Sequence, residues 1–159
     1  MHCIRKSIYI HGSTMHNHPK SILTRINNDT NNIVHSTVSV NTQYISKSMR
    51  CVINENNRTF VRSDMGTGKT YGMADAITDE LPKGVVIVVT HLTSLVKGNE
   101  ERLTLLLKMR GESARIAHYS DDNAIDVADA QLILTTLHSL HSVIERIGGA
   151  SRVSLVMFD

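Results

Sequence analysis

Between the apolar pair Phe60-Val61 and a helix-like run starting at Lys69 stands the stretch Ser63-Asp64-Met65-Gly66-Thr67-Gly68-Lys69-Thr70. Two glycines within three residues permit left-handed backbone and a close approach of the main chain to a bound group, so that successive amides turn inward on an anion. A strand entering such a turn and a helix leaving it bring the helix N-terminus, with its unpaired N–H groups, to the same point. The stretch therefore commits the chain to a strand, loop and helix in succession, with a phosphate-binding loop at the junction. In that reading Lys69 reaches the β- and γ-phosphates of a nucleotide and the Thr70 hydroxyl is a ligand of Mg²⁺. Ser63, Met65, Gly66, Thr67 and Gly68 form the rest of the loop wall. Ser63 stands where the general pattern opens with glycine, and a small residue is sufficient there.

Downstream of the loop the chain alternates between the two regular structures. Lys69 to Glu80 reads as a helix, with Met73, Ile77 and Leu81 on one face, and Leu81-Pro82-Lys83-Gly84 stops it. Val85 to Thr90 is a continuous β-branched run without alternation, the pattern of a strand covered on both faces in a parallel sheet. A second helix is expected from Asn99 as N-cap to Arg110, with Glu100 and Glu101 early, Lys108 late and Gly111 just beyond. Leu103, Leu106 and Leu107 supply its buried stripe. Strands are further expected at Ala114 to Tyr119, Gln131 to Thr135 and Val153 to Phe158, with a short helix from Leu137 to Arg146 and a break at Gly148-Gly149. Strands alternating with helices give a doubly wound, mainly parallel α/β sheet. Ligands in such sheets bind at the carboxyl ends of the strands, where the loop, Thr90, Thr135 and Asp159 fall. An apolar strand ending on Asp159 is the expected form of a second nucleotide motif, its carboxylate holding Mg²⁺.

Composition separates the two ends of the chain. Residues 1–62 carry eight basic residues against Asp29 and Glu55, a net of +6, whereas the remainder carries −4. Residues 1–40 are rich in Asn, Ser, Thr and His and read as a polar, basic, partly disordered extension. Within it Ile33 to Val40 alternates as a strand would. The basic arm suits either contact with nucleic-acid phosphates or a solvated surface. The longest apolar run is Val85 to Val89, against the roughly 20 residues that a bilayer needs, so no membrane partner is expected and the chain is placed in the cytoplasm. Cys3 and Cys51 lack partners at metal-ligand spacing and read as ordinary thiols. His16 and His18 are spaced to ligate a metal but have no third ligand; His138 and His141, i and i+3 on a short helix, could share a metal or face DNA but read first as a helix-surface or partly buried pair, and His91 and His118, near strand ends, are candidates for lining the site.

The segments SDMGTGKT, VVIVVTHLTSL, QLILTTLHSL and SLVMFD, in this order, resemble motifs I, Ia, Ic and II of the superfamily 2 helicases. MGTGKT and LHSL further resemble the replication-origin-binding helicases of herpesviruses, phages and plasmids. The resemblance covers residues 41–159 and implies a RecA-like fold, here the N-terminal part of the first helicase domain, with ATP and Mg²⁺ as cofactors. It implies that Gly66, Gly68, Lys69 and Thr70 bind the phosphates and metal, and that Asp159 completes the metal site. Gln43, in the segment preceding motif I, is the candidate for reading adenine. Thr90, His91, Ser94 and Leu95 fall where motif Ia touches the nucleic-acid backbone, and Thr135, Thr136, Ser139 and Leu140 where motif Ic does.

Three departures from that family stand out. Motif Ia lacks its frequent Arg, since Leu92 and Thr93 occupy those places. Asp64 stands where relatives tend to have Pro, a carboxylate close to a triphosphate unless it turns away or pairs with Arg62. The sequence also stops before the Glu that comes after the motif II Asp in these helicases, and before motif III and the second domain with its arginine finger. It is therefore expected to be a fragment that binds ATP without hydrolysing it. The expected function is the ATP-binding portion of a DNA helicase or translocase in replication, with DNA and replication proteins as partners. The alternative is a P-loop kinase or another nucleotide-dependent enzyme with no nucleic-acid role.

Overall fold

The computed structural model describes residues 5–12, 23–26, 33–40, 45–46, 49–50, 58–63, 66–119 and 127–159. The chain divides into two compact units, residues 1–76 and 77–159.

The first unit is built on four strands, β1 (Arg5–Gly12), β2 (Leu23–Ile26), β3 (Ile33–Val40) and β4 (Arg58–Ser63), in the order β2-β3-β1-β4. β1 runs parallel to both β3 and β4, and β2 antiparallel to β3. The segment that composition marks as a polar extension thus carries three strands. β3 coincides with the alternating run Ile33 to Val40, and β1 contains the apolar trio Ile8-Tyr9-Ile10, a signal outweighed by its polar neighbours. β4 is the strand that enters the loop. It pairs with β1 from Ser7↔Arg58 to Gly12↔Ser63, so the loop strand has its neighbour upstream and not among the later strands with which the sequence pattern grouped it. Helix α1 (Lys69–Glu80) comes directly after the loop.

The second unit holds β5 (Val85–Thr90), β6 (Ile116–Tyr119), β7 (Leu132–Thr136) and β8 (Val153–Phe158), ordered β6-β7-β5-β8 with every pair parallel. All six residues of β5 are buried, as its unbroken β-branched run requires of an interior strand. Successive residues of a strand face opposite sides of the sheet. One side presents Val85, Ile87, Val89, Ala117, Tyr119 and Ile133 to Val143 and Ile147, the last two from α3 (Leu140–Arg146) and its C-cap. The other side carries Val86, Val88, Leu132 and Leu134, and helix α2 (Thr93–Met109) packs on β5, β6 and β7 with Leu103, Leu106 and Leu107 buried. Full burial of each such side chain contributes about 1.5–3 kcal/mol, so the two-sided core is the main source of this unit's stability. Helices on both faces of a parallel sheet make this the α/β, RecA-like arrangement.

Two boundaries differ from the sequence pattern. α2 starts at Thr93, not after Asn99; its N-cap is Leu92 in extended backbone with no side-chain cap. The early turns contain Thr, Ser, Gly98 and Asn99, poor helix formers that read as loop, yet Val96 is buried at 4% exposure and docks that turn in place. α3 starts at Leu140 because Thr136 to Ser139 form a turn closed by the Ser139 N–H donating to Thr136 O at 3.2 Å. Beyond α1, Ser154 Oγ donates to Glu80 O at 3.2 Å and to Val85 O at 3.4 Å, which fastens the Leu81 to Gly84 turn to the start of β8. No helix among the described residues is long and apolar enough to cross a membrane.

Candidate nucleotide and nucleic-acid sites

In the first unit, Gly66 and Gly68 have φ of 76° and 84°, the left-handed backbone that their lack of a side chain makes accessible. Helical hydrogen bonding begins at Gly68, whose carbonyl accepts the Gly72 N–H at 3.0 Å, so Lys69 and Thr70 are the first residues of α1. Both are half-buried. Thr67 is buried between the two glycines, and its carbonyl accepts the Ile45 N–H at 3.0 Å. Ile45 and Met49 belong to one helical turn, joined by the Met49 N–H and the Ile45 carbonyl at 2.9 Å, and both are buried. That turn lies directly on α1 at Gly72, where a Cβ would meet Met49 Sδ at 2.7 Å and Ser46 Cα at 3.1 Å. The loop is therefore backed by a short segment upstream of β4. Ser63 is the last residue of β4; Gln43, Asp64 and Met65 lie outside the described residues.

In the second unit the carboxyl ends of β5, β7 and β8 line up. Thr90 is paired with Thr136, Val89 with Phe158, and the Asp159 N–H donates to Val89 O at 2.9 Å. Thr90 is buried, and its hydroxyl donates to Leu92 O at 3.1 Å, turning the chain from β5 into α2. His91, Ser94 and Leu95 are exposed beside that turn. The residues after β7 face inward instead. Thr135 has no exposed surface and donates to Tyr119 O at 3.3 Å, Thr136 Oγ1 donates to Ser139 Oγ at 3.4 Å with both residues buried, and Leu140 packs against the core. What this turn offers to solvent is Leu137 and His138, neither of which the motif pattern singles out as a contact.

Asp159 is exposed, and its Oδ2 accepts a hydrogen bond from Asn99 Nδ2 at 3.0 Å. Asn99 is thus no N-cap: it lies inside α2 and reaches the residue that the sequence pattern assigns to the metal. One position on, Glu100 Oε2 is 3.1 Å from His118 Nδ1 on β6. His16 and His18 lie outside the described residues, and His141 pairs with Glu145 at 3.2 Å on an exposed helix face. Among the described residues no three His, Cys, Asp or Glu side chains come together as metal ligands.

The family model for the type III restriction enzyme res subunit matches residues 14–159. The chain belongs to that family. A res-subunit domain of this kind is a superfamily 2 helicase-like, ATP-binding domain, which favours the helicase-type reading over the kinase alternative. Neither the curated proteins nor the solved structures provide a match.

A cleft of about 390 Å³ in this res-subunit domain is at the other end of the second sheet, lined by Lys83, Arg115, Asp129 and Arg152 among others. Its guanidiniums hold main chain: Arg115 Nε donates to Asp129 O at 2.7 Å and Arg152 Nη1 to Ile147 O at 2.8 Å. Lys83 pairs with Glu80 at 2.6 Å. The cleft therefore works as a fastening. In the first unit Thr70 has a hydroxyl, and in the second Asp159 has a carboxylate with Oδ1 left over from the Asn99 bond. Each is a hard oxygen donor of the kind that Mg²⁺ takes.

Proposed function

We propose that the chain is the ATP-binding portion of a DNA helicase or translocase. The observation that carries this is the loop geometry: left-handed Gly66 and Gly68 open directly into α1, with Lys69 and Thr70 in its first turn. Amides, a helix N-terminus and a lysine at one point suit the phosphates of ATP. Thr70 offers a hydroxyl oxygen to Mg²⁺, which when bound would neutralise the phosphate charge, and Asp159 is the residue that the resemblance to motif II assigns to the metal. Exposed His91, Ser94 and Leu95 at the start of α2 are the positions that suit a nucleic-acid backbone, with Leu137 and His138 on the exposed turn after β7. The resemblance of MGTGKT and LHSL to origin-binding helicases supports the narrower reading of a role at replication origins, in the cytoplasm of a cell or host, alongside replication proteins.

The test is a titration of the full chain with a fluorescent ATP analogue, compared with Lys69→Ala, and with a labelled DNA oligonucleotide at rising salt. Loss of the lysine is expected to weaken nucleotide binding by at least about tenfold, the worth of a hydrogen bond to a charged group. Oligonucleotide affinity is expected to fall steeply with salt as counterions are released. Nucleotide binding indifferent to Lys69, or DNA binding indifferent to salt, would sink the proposal.

A further inference from the structure

We propose that the carboxyl end of the second sheet holds a nucleic-acid strand by its unpaired bases, on an apolar lip of Leu92, Leu95 and Leu137 flanked by His91 and His138, an inference that rests on the function proposed above. The form of nucleic acid taken at this end is then single-stranded. Leu92 is 50% exposed, Leu95 39% and Leu137 59%, whereas the leucines further along α2 that meet the sheet, Leu103, Leu106 and Leu107, are buried. Three large apolar side chains thus stand in solvent where β5 and β7 stop.

Strand register brings them together. Thr90 and Thr136 are paired across β5 and β7, neighbouring strands about 5 Å apart. Leu137 is the next residue after Thr136 and Leu92 the second after Thr90, so the two leave the sheet side by side. Leu95 is one turn further on, its N–H bonded to Leu92 O at 3.1 Å. The chemistry around them suits bases better than phosphates. Neither His91 to Val96 nor Thr136 to Glu145 contains a lysine or arginine, and the first cation along α2 is Lys97, beyond buried Val96. The charge that β8 brings to the same end is the carboxylate of Asp159, which repels a phosphate. The hydroxyls of Thr90 and Thr136 are spent on Leu92 O and Ser139 Oγ. What the lip offers is leucines, which enter between bases as apolar wedges do, and imidazoles, whose rings stack on bases and whose nitrogens meet base edges. A duplex keeps its base faces stacked on one another and closed to such a lip, whereas an unpaired strand presents them.

The experiment follows the fluorescence anisotropy of three labelled DNA probes with the full chain over a range of salt: an oligothymidine, the same strand annealed to its complement, and an abasic strand that keeps the phosphates and lacks the bases. The parent chain is expected to prefer the oligothymidine to the other two by at least about fivefold, the worth of covering the exposed half of a leucine. In Leu92→Ser and in Leu137→Ser the affinity for the oligothymidine is expected to fall by about the same factor. Affinity for the abasic strand, the slope of affinity against salt and the thermal unfolding midpoint stay at parent values, because no phosphate contact and no buried side chain is removed. Leu137→Phe, with a larger face for stacking, is expected to bind the oligothymidine more tightly, a gain that misfolding does not produce. Serine variants that bind the oligothymidine as the parent does, or that lose affinity equally for all three probes, overturn this inference alone, as does a parent chain that holds the duplex or the abasic strand as tightly as the oligothymidine. A parent chain that binds none of the three overturns the proposed function with it.

Discussion

Gly72→Ala tests how the phosphate loop is held. In the interior of a helix alanine is better than glycine by about 1 kcal/mol, so propensity alone favours the change. Against it, the new Cβ would stand 2.7 Å from Met49 Sδ, 3.2 Å from Met49 Cβ and 3.1 Å from Ser46 Cα. The sulfur belongs to a flexible side chain that can swing aside, although Met49 is only 3% exposed and has little room. Ser46 Cα moves only if its whole turn moves. Overpacking of this sort costs about 1–3 kcal/mol, which leaves a net destabilisation of about 0–2 kcal/mol after the propensity gain. The displaced turn carries Ile45, whose N–H holds the Thr67 carbonyl, so nucleotide affinity is expected to fall with it. Loss of that one bond, about 1 kcal/mol, corresponds to about fivefold. Urea unfolding followed by circular dichroism gives the first quantity, and titration with a fluorescent ATP analogue the second. Met49→Ala supplies the control. Alone it costs about 2–5 kcal/mol as a large-to-small change, but combined with Gly72→Ala it removes the closest clash, so the pair should be less destabilised than the sum by about 0.5–1 kcal/mol. A Gly72→Ala chain that is stabilised by the propensity term and binds nucleotide as before would refute the packing argument.

Thr135→Val removes a buried hydroxyl and keeps the shape. It should cost about 1 kcal/mol in thermal unfolding for the lost bond to Tyr119 O and leave oligonucleotide affinity unchanged, whereas weaker DNA binding by fluorescence anisotropy at full stability would make Thr135 a contact after all. Leu103→Ala, at a side chain 1% exposed between α2 and the sheet, should lower stability by about 2–5 kcal/mol, read as a shift in urea midpoint; a smaller loss would mean that α2 is not seated as described.

What could be read in the sequence was local. The run Val85 to Thr90 shows an interior parallel strand because covering on both faces needs unbroken apolar residues. The glycines of the loop and the stop at Leu81 to Gly84 bound α1, and Val153 to Phe158 was legible as a strand by the same apolar reasoning. What escaped was set by tertiary packing. The first turns of α2 have poor propensity and are held by Val96, so the helix begins before its charge pattern does. The neighbour of β4 is β1, whose short apolar trio lies in a polar context. Asn99 and Asp159 are 60 residues apart, and nothing near either one points to the other. Thr135 falls on the Ile87 and Ile133 side of the sheet only once the register with β5 is known, and that side is core.

The fastenings at the lower end of the second sheet, where Arg115 and Arg152 grip the carbonyls of Asp129 and Ile147, have a consequence for how such a domain can change over generations. They hold the connecting loops together at the far end from His91, Ser94, Leu137 and His138, none of which lends its side chain to the core. If those four positions contact nucleic acid as proposed, drift at them alters that contact at little cost to folding. Such a frame keeps its fold while those positions change, and mutations that cripple it should gather among the buried leucines and spare the lips.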